Sequence, residues 1–225
     1  MHLKLLFEQE STKSKYGSTP EQLYRFIAYL ASINGKEIIV DNISRDLSIK
    51  RYGAEQQISF FKRLFLIDLL PAWSTNLTTR ATRHHKVFLK DSGLTARLLR
   101  ANADTATDLA SPIAGSIFEA FIFNELLRMS CAEDSRLGFY HYRDVRQREV
   151  DIVIENDDGK VLLVEVKAAS TVIASDFKSI KYLQEKHPER IACGVVVYTG
   201  GTVLSFGDRL LALPAQCLWG AGFKS

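Results

Sequence analysis

The stretch from Arg148 to Lys167 constrains this chain more than any other. Two arms rich in Val, Ile and Leu, Glu149 to Glu155 and Lys160 to Lys167, flank the polar cluster Asn156-Asp157-Asp158-Gly159. That composition predicts two buried strands around a tight turn. A three-residue loop of Asp157, Asp158 and Gly159, with Gly159 in the left-handed region, pairs Asn156 with Lys160 and sets Asp151 opposite Glu165. The strand period of two then places Glu165 and Lys167 on the side of Asp151, with Val164 and Val166 on the other face. Carboxylates about 5 Å apart repel by roughly 3 kcal/mol at an effective dielectric near 20. A divalent cation such as Mg²⁺, which takes oxygen ligands, reverses that sign. Lys167 would then orient a water or stabilise charge on a phosphate. The plainer alternative is that Glu165-Val166-Lys167 lies on a solvated strand face.

The chain has 225 residues, 46% apolar and 24% charged, enough for one large or two small soluble domains. Cys131, Cys193 and Cys217 lie far apart without paired spacing, which argues against a disulfide framework or a zinc site. No apolar run reaches membrane-spanning length and the N-terminal apolar segment is too short for a secretory signal, so a cytoplasmic protein with no membrane partner is expected. Charge is uneven. Residues 1–100 hold 16 Lys and Arg against 9 Asp and Glu, and residues 101–225 hold 13 against 17, leaving +7 and −4. A basic first part facing nucleic acid follows as an expectation.

Thr19 before Pro20 is a helix start, and Leu23, Phe26, Ile27 and Leu30 recur on one helix face. Asp41 as cap ahead of Ile43 and Leu47 predicts a second helix. A turn at Arg51-Tyr52-Gly53 leads to a third from about Ala54 to Phe65, with Ile58, Phe61, Leu64 and Phe65 as its stripe. Apolar segments near Leu66 to Trp73 and Lys86 to Leu89 enclose a polar, basic tip, so three helices and a hairpin make a winged-helix pattern. Lys62 and Arg63 on the third helix, and Arg80, Arg83 and Lys86 on the hairpin, are the candidate nucleic-acid contacts. A wing that only packs on a neighbouring domain is the alternative. Lys90-Asp91-Ser92-Gly93-Leu94 ends the wing and caps a further helix carrying Leu94, Leu98 and Leu99, and the small polar residues 101–108 form the linker. The expected division is thus 1–100, with its core at 19–94, and 101–225.

In the second part a helix from Gly115 to about Met129 carries Glu119 on its apolar side, beside Ile122, Phe123 and Leu126. A carboxylate there requires a metal or an ionic partner. A strand at Leu137 to Arg143, the hairpin, a helix from Ser175, a strand at Ile191 to Tyr198 and an apolar segment from Leu210 to Trp219 complete an α/β domain with a central mixed sheet.

Glu119 on a helix, Asp151 on a strand and Glu165-Val166-Lys167 on the next resemble the PD-(D/E)XK nuclease superfamily, with Val150 where its pattern has Pro. The layout is also similar to the C-terminal half of a prokaryotic family of AAA-type ATPases: a winged helix followed by a domain of unknown function with a restriction-endonuclease-like fold. The residues carrying this likeness are Lys86 to Leu94, Gly115 to Leu126, Tyr142-Arg143, Glu149 to Ile154 and Val164 to Lys167. The resemblance implies Mg²⁺ held by Glu119, Asp151 and Glu165, Lys167 assisting a water in phosphodiester hydrolysis, DNA as partner, and an ATPase partner or an ATPase domain encoded upstream. No Gly-x-x-x-x-Gly-Lys-Ser/Thr loop occurs, since Gly35-Lys36 lacks both its upstream Gly and a following hydroxyl residue, so this chain is not expected to hydrolyse ATP. Two other readings remain: a non-catalytic nuclease-fold binding or regulatory module, and a DNA-binding regulator acting through the wing.

Overall fold

A computed structural model describes residues 7–8, 19–102, 104–105, 108–109, 111–132 and 136–220, the side chain of Ala132 excepted. Within the linker segment 101–108, residues 103, 106 and 107 lie outside the described residues. Helix α1 (Pro20–Ser32) starts with a reciprocal cap: the Thr19 hydroxyl accepts from Gln22 N, and the Gln22 side chain accepts from Thr19 N. Its buried face is Leu23, Phe26, Ile27, Leu30 and Ala31.

Helix α2 (Val40–Leu47) begins one residue before the expected cap. Asp41 lies in its first turn, pairing with Arg51, and Ile39 at the cap position makes no side-chain bond. The turn into helix α3 (Arg51–Arg63) falls at Ser48–Lys50, with Ser48 left-handed at φ 55°, so Arg51-Tyr52-Gly53 is already helical. Helix α3 buries Ala54, Ile58 and Phe61. Phe65 leaves the expected stripe: the helix has ended, φ is 55°, and the ring is 75% exposed.

Strand β1 (Ile67–Leu70) pairs antiparallel with β2 (Lys86–Leu89), and Glu37 adds a bridge to Lys86 from the far side. The expected hairpin tip contains a short helix, α4 (Leu77–Thr82), capped by Asn76. Asp91 caps α5 (Ser92–Leu98) by accepting from Leu94 N.

The rest is a mixed α/β unit. Helix α6 (Pro112–Ala132) precedes strands β3 (Gly138–Arg143), β4 (Glu149–Glu155) and β5 (Val161–Lys167). A 3₁₀ turn at Ala174–Phe177 runs into α7 (Lys178–Lys186), followed by β6 (Ile191–Tyr198), β7 (Leu204–Gly207) and β8 (Leu210–Pro214). The sheet order is β3-β4-β5-β6-β8-β7, antiparallel through β3-β4-β5, parallel through β5-β6-β8, and antiparallel again at β8-β7. The final apolar segment is therefore one strand and a 3₁₀ turn, and β7 is a strand that periodicity did not reveal.

Helices flank both faces. Ala120, Ile122 and Phe123 of α6 join Ile152, Ile154, Val164, Val195 and Val197, together with Leu70 and Phe88. Phe177, Ile180 and Leu183 join Val153, Leu163 and Val196 on the other face. The β4–β5 turn has the expected form: Gly159 has φ 73°, Asn156 N donates to Lys160 O, and Glu155 pairs with Val161.

Buried polar groups tie the first part to the second. Asn34 receives Leu89 N on its side-chain oxygen and donates its amide to Ser116 O, while the Asn124 amide donates to Leu89 O. The His141 backbone bonds on both sides, to Pro71 O and from Trp73 N, and its Nε2 lies 3.1 Å from His84 O. That contact makes Nε2 the protonated nitrogen and leaves Nδ1 buried, without a hydrogen-bond partner among the described residues. Burial lowers the His141 pKa from 6.5 to about 4, against the opposing pull of the His84 carbonyl. Because the unfolded chain takes up this proton below about pH 6.5 and the folded chain does not, stability is complete above that pH and is lost as pH falls toward 4. The loss is roughly 3 kcal/mol. The raised carboxyls of Glu119 and Glu165 act in the opposite direction over this range, so the measurement is a difference: by urea unfolding, the stability of wild type relative to His141→Asn is expected to fall by about that amount between pH 7 and 4.

Candidate functional site

Strand β2 is apolar after its first residue, and that residue is the centre of the site. Lys86 is 1% exposed, at the point where β2 pairs with Leu70 on one side and Glu37 on the other. Its Nζ lies 3.0 Å from Glu119 Oε1 on α6, 2.6 Å from Glu149 Oε1 and 3.1 Å from Asp151 Oδ1, both on β4. The ammonium donors thus meet three carboxylates. Gly35 makes room for the second oxygen of Glu119: a Cβ there would stand 2.8 Å from Oε2, and its φ of 76° independently favours glycine.

Asp151 is positioned by two irregularities. Tyr140 pairs with Val153 and Tyr142 with Val150, so Asp151 and Ile152 oppose His141 alone; this is a bulge in β4. On the other side the ladder to β5 ends at Ile152–Val164, one pair short of Asp151 and Glu165. The next inward N–H on β5, that of Val166, is received at 3.0 Å by Asp151 Oδ2. One oxygen of Asp151 therefore closes the sheet fork while the other meets Lys86.

Glu165 adds a fourth acid. Its Oε2 is buried and, among the described residues, has no hydrogen-bond partner. Burial first, then the charge of Asp151, hold its pKa well above the usual carboxylate range. Glu119 rises to about 8 for the same reasons, the Lys86 charge opposing them. Burial pulls the Lys86 pKa down, but Asp151, Glu119 and Glu149 outweigh it and hold the value well above that of an ordinary lysine. More acids than cations surround one buried point, and protons make up part of the difference.

The oxygen donors are chemically suited to a hard cation, but the space between three of them holds the Lys86 ammonium. Among the described residues no three His, Cys, Asp or Glu side chains stand so as to hold a metal ion together. As folded, the cluster does not fit Mg²⁺.

The other candidates lie elsewhere. Lys167 pairs with the Asp176 carboxylate, which also receives Ile173 N at 2.8 Å. Arg80 makes a fork to Glu155, Nη1 to Oε2 at 2.6 Å and Nη2 to Oε1 at 2.9 Å, with its guanidinium 4.8 Å from the Tyr140 ring centre. Arg83 donates to Arg143 O. Lys62 and Arg63 are exposed at the end of α3. The structure thus brings Glu119, Asp151 and Glu165 together and directs Lys167 and Arg80 to other acids. Sequence reasoning missed Glu149 and the inward role of Lys86. The first had a signal in its spacing of two from Asp151; the second had one in a lone charge two positions before Phe88 on an apolar strand.

The fold and site define a mixed α/β domain, a six-stranded sheet flanked by helices, joined through one buried lysine to a helical N-terminal module. Residues 114–218 match the family model of a domain of unknown function (DUF4143), found in AAA-ATPase-associated proteins, and residues 3–105 match that of a second domain of unknown function (DUF8612). Uncharacterized proteins of Mycobacterium bovis and Mycobacterium tuberculosis are each 24% identical over 188 residues, covering 83% of this chain. The chain spans about 40% of the length of these curated relatives. Among solved structures, the McrB AAA+ hexamers of Thermococcus gammatolerans with bound McrC align over 76% of this chain and 63% of that one, with 11% identity and a TM-score of 0.34, too low to carry an argument. No described helix is long and apolar enough to cross a membrane.

Removing one member of a buried ion cluster leaves the others uncompensated. Lys86→Met is expected to lower stability by about 3 kcal/mol. In a double-mutant cycle with Asp151→Asn, the paired change is expected to cost clearly less than the two single changes added, as read from urea unfolding midpoints.

Proposed function

We propose that this chain is a winged-helix module followed by a restriction-endonuclease-like domain, and that it serves as a non-hydrolytic, nucleic-acid-directed part of an ATPase-associated system. One observation carries the non-hydrolytic reading: the Lys86 ammonium stands within 3.1 Å of Glu119 and Asp151, two of the three acids a metal would need, and of Glu149 beside them. The turned-away Lys167 supports it, since no lysine from β5 reaches the cluster. Three helices, the Glu37 bridge and the β1–β2 ladder support the winged helix. Helix α6 against a mixed sheet, with Asp151 and Glu165 on adjacent antiparallel strands, supports the nuclease-like fold. The DUF4143 match, and relatives long enough to carry another domain, support the ATPase association.

A second reading keeps hydrolysis and is favoured by the buried, unpartnered Glu165 Oε2. With Lys86 withdrawn, Glu119, Asp151 and Glu165 would be the oxygen set for Mg²⁺.

Incubating the full chain with plasmid, single-stranded DNA and RNA over a Mg²⁺ and Mn²⁺ series decides between them. No metal-dependent cleavage is expected. Cleavage that requires metal and disappears in a folded Glu165→Gln variant would establish the second reading instead.

A further inference from the structure

The β3–β4 turn and the end of α7 meet the segments on either side of α4 around a cavity of about 380 Å³. The size falls within the range of small-molecule sites. Its charge is one-sided. Arg83, Arg146, Arg148 and Lys186 all line it, and Asp144 is the one acid among its lining residues.

Asp144 is already committed to shaping the turn. It accepts from the backbone N–H groups of Arg146 and Arg148 and is paired with the Arg148 guanidinium at 2.6 Å. Burial raises its carboxyl, but the bonds from Arg148 and Arg146 and the Arg148 charge together outweigh it and hold the carboxyl below the usual range. One negative charge thus stands against four positive ones, an excess that attracts an anion.

The Arg148 guanidinium carbon lies 3.3 Å from the centre of the Tyr182 ring, a separation reached only by face-on stacking. Pinned on one side by Asp144 and on its face by Tyr182, Arg148 offers its outer face as a flat, charged platform. Planar bases stack on such a surface. His187 borders the same space, edge-on to buried Trp73 at 5.7 Å. Arg146 and Lys186 are exposed at the rim, the Lys186 ammonium 5.7 Å from the centre of the Tyr182 ring, a contact that leaves its N–H donors for a ligand.

We propose that this cavity binds a nucleotide unit, free or within a strand, its phosphate held by Arg146 and Lys186 with Arg83 and its base lying on Arg148. The proposal rests on and extends the nucleic-acid reading above, and centres the contact where the base of the wing meets the β3–β4 turn and α7. It uses no residue of the carboxylate cluster.

The test is fluorescence anisotropy with a labelled single-stranded oligonucleotide, and calorimetry with AMP and ATP, on the full chain. Arg146→Ala with Lys186→Ala is expected to weaken binding at least tenfold, whichever ligand binds. For the oligonucleotide, the plot of log affinity against log salt is also expected to become shallower by about 1 to 2. The control is Lys178→Ala with Lys181→Ala, which removes the same charge from α7 outside the cavity and is expected to bind as wild type. Binding of the oligonucleotide alone identifies a strand as the source; binding of the mononucleotides alone supports the cavity and defeats the nucleic-acid reading. Oligonucleotide binding that survives the Arg146/Lys186 change overturns the proposal while sparing that reading, and binding of neither ligand overturns both.

Discussion

The position of one ammonium group governs this structure. Lys86 reaches from the N-terminal ladder into a cluster of acids supplied by α6 and β4, contacting Glu119, Glu149 and Asp151. A lysine buried without partners would lose its charge, and acids packed together without a cation would hold protons. Each side makes the other tolerable. The same contact joins the two parts of the chain, beside the uncharged links through Asn34, Asn124 and His141. The junction is therefore polar and geometrically specific, with Leu70 and Phe88 of the ladder packed on α6 alongside it.

This arrangement relates the hairpin to its function. A bulge and an early end to the β4–β5 ladder leave Asp151 free of regular pairing, so that one carboxylate oxygen satisfies Val166 N and the other faces Lys86. In a metal-dependent nuclease site the corresponding demand for positive charge would be met from solution. Here it is met by the chain itself. The remaining tension sits at Glu165, whose buried Oε2 has no hydrogen-bond partner among the described residues and whose carboxyl is held well above its ordinary range by burial and by Asp151.

How legible this was from sequence depends on the distance over which each feature is determined. The hairpin register was readable because Asn156 and Gly159 set it within five residues, and the α1 start because Thr19, Pro20 and Gln22 set it within four. The closeness of Asp151 and Glu165 was readable from that register, and their convergence with Glu119 as the implication of a resemblance. The role of Lys86 was not, because its partners arrive from 33 to 65 residues away and a lysine beginning a strand near arginines reads as an exposed wing contact. Helix α4 escaped for a local reason: Leu77-Thr78-Thr79-Arg80-Ala81-Thr82 buries no residue, so it has no apolar period to detect. Strand β7 is largely exposed and equally silent. The partner of Arg80 was equally hidden, since Glu155 meets it through a contact spanning 75 residues.

The most direct test of the central claim, that Lys86 already supplies the cation of the acid cluster, is the melting temperature of the full chain over a Mn²⁺ series from micromolar to millimolar. A ligand that binds only the folded chain at a hundred times its Kd would add about 2.7 kcal/mol. The account predicts no saturable rise for the wild-type chain. A saturable rise that vanishes in Glu165→Gln would contradict it and show that a divalent ion displaces the lysine.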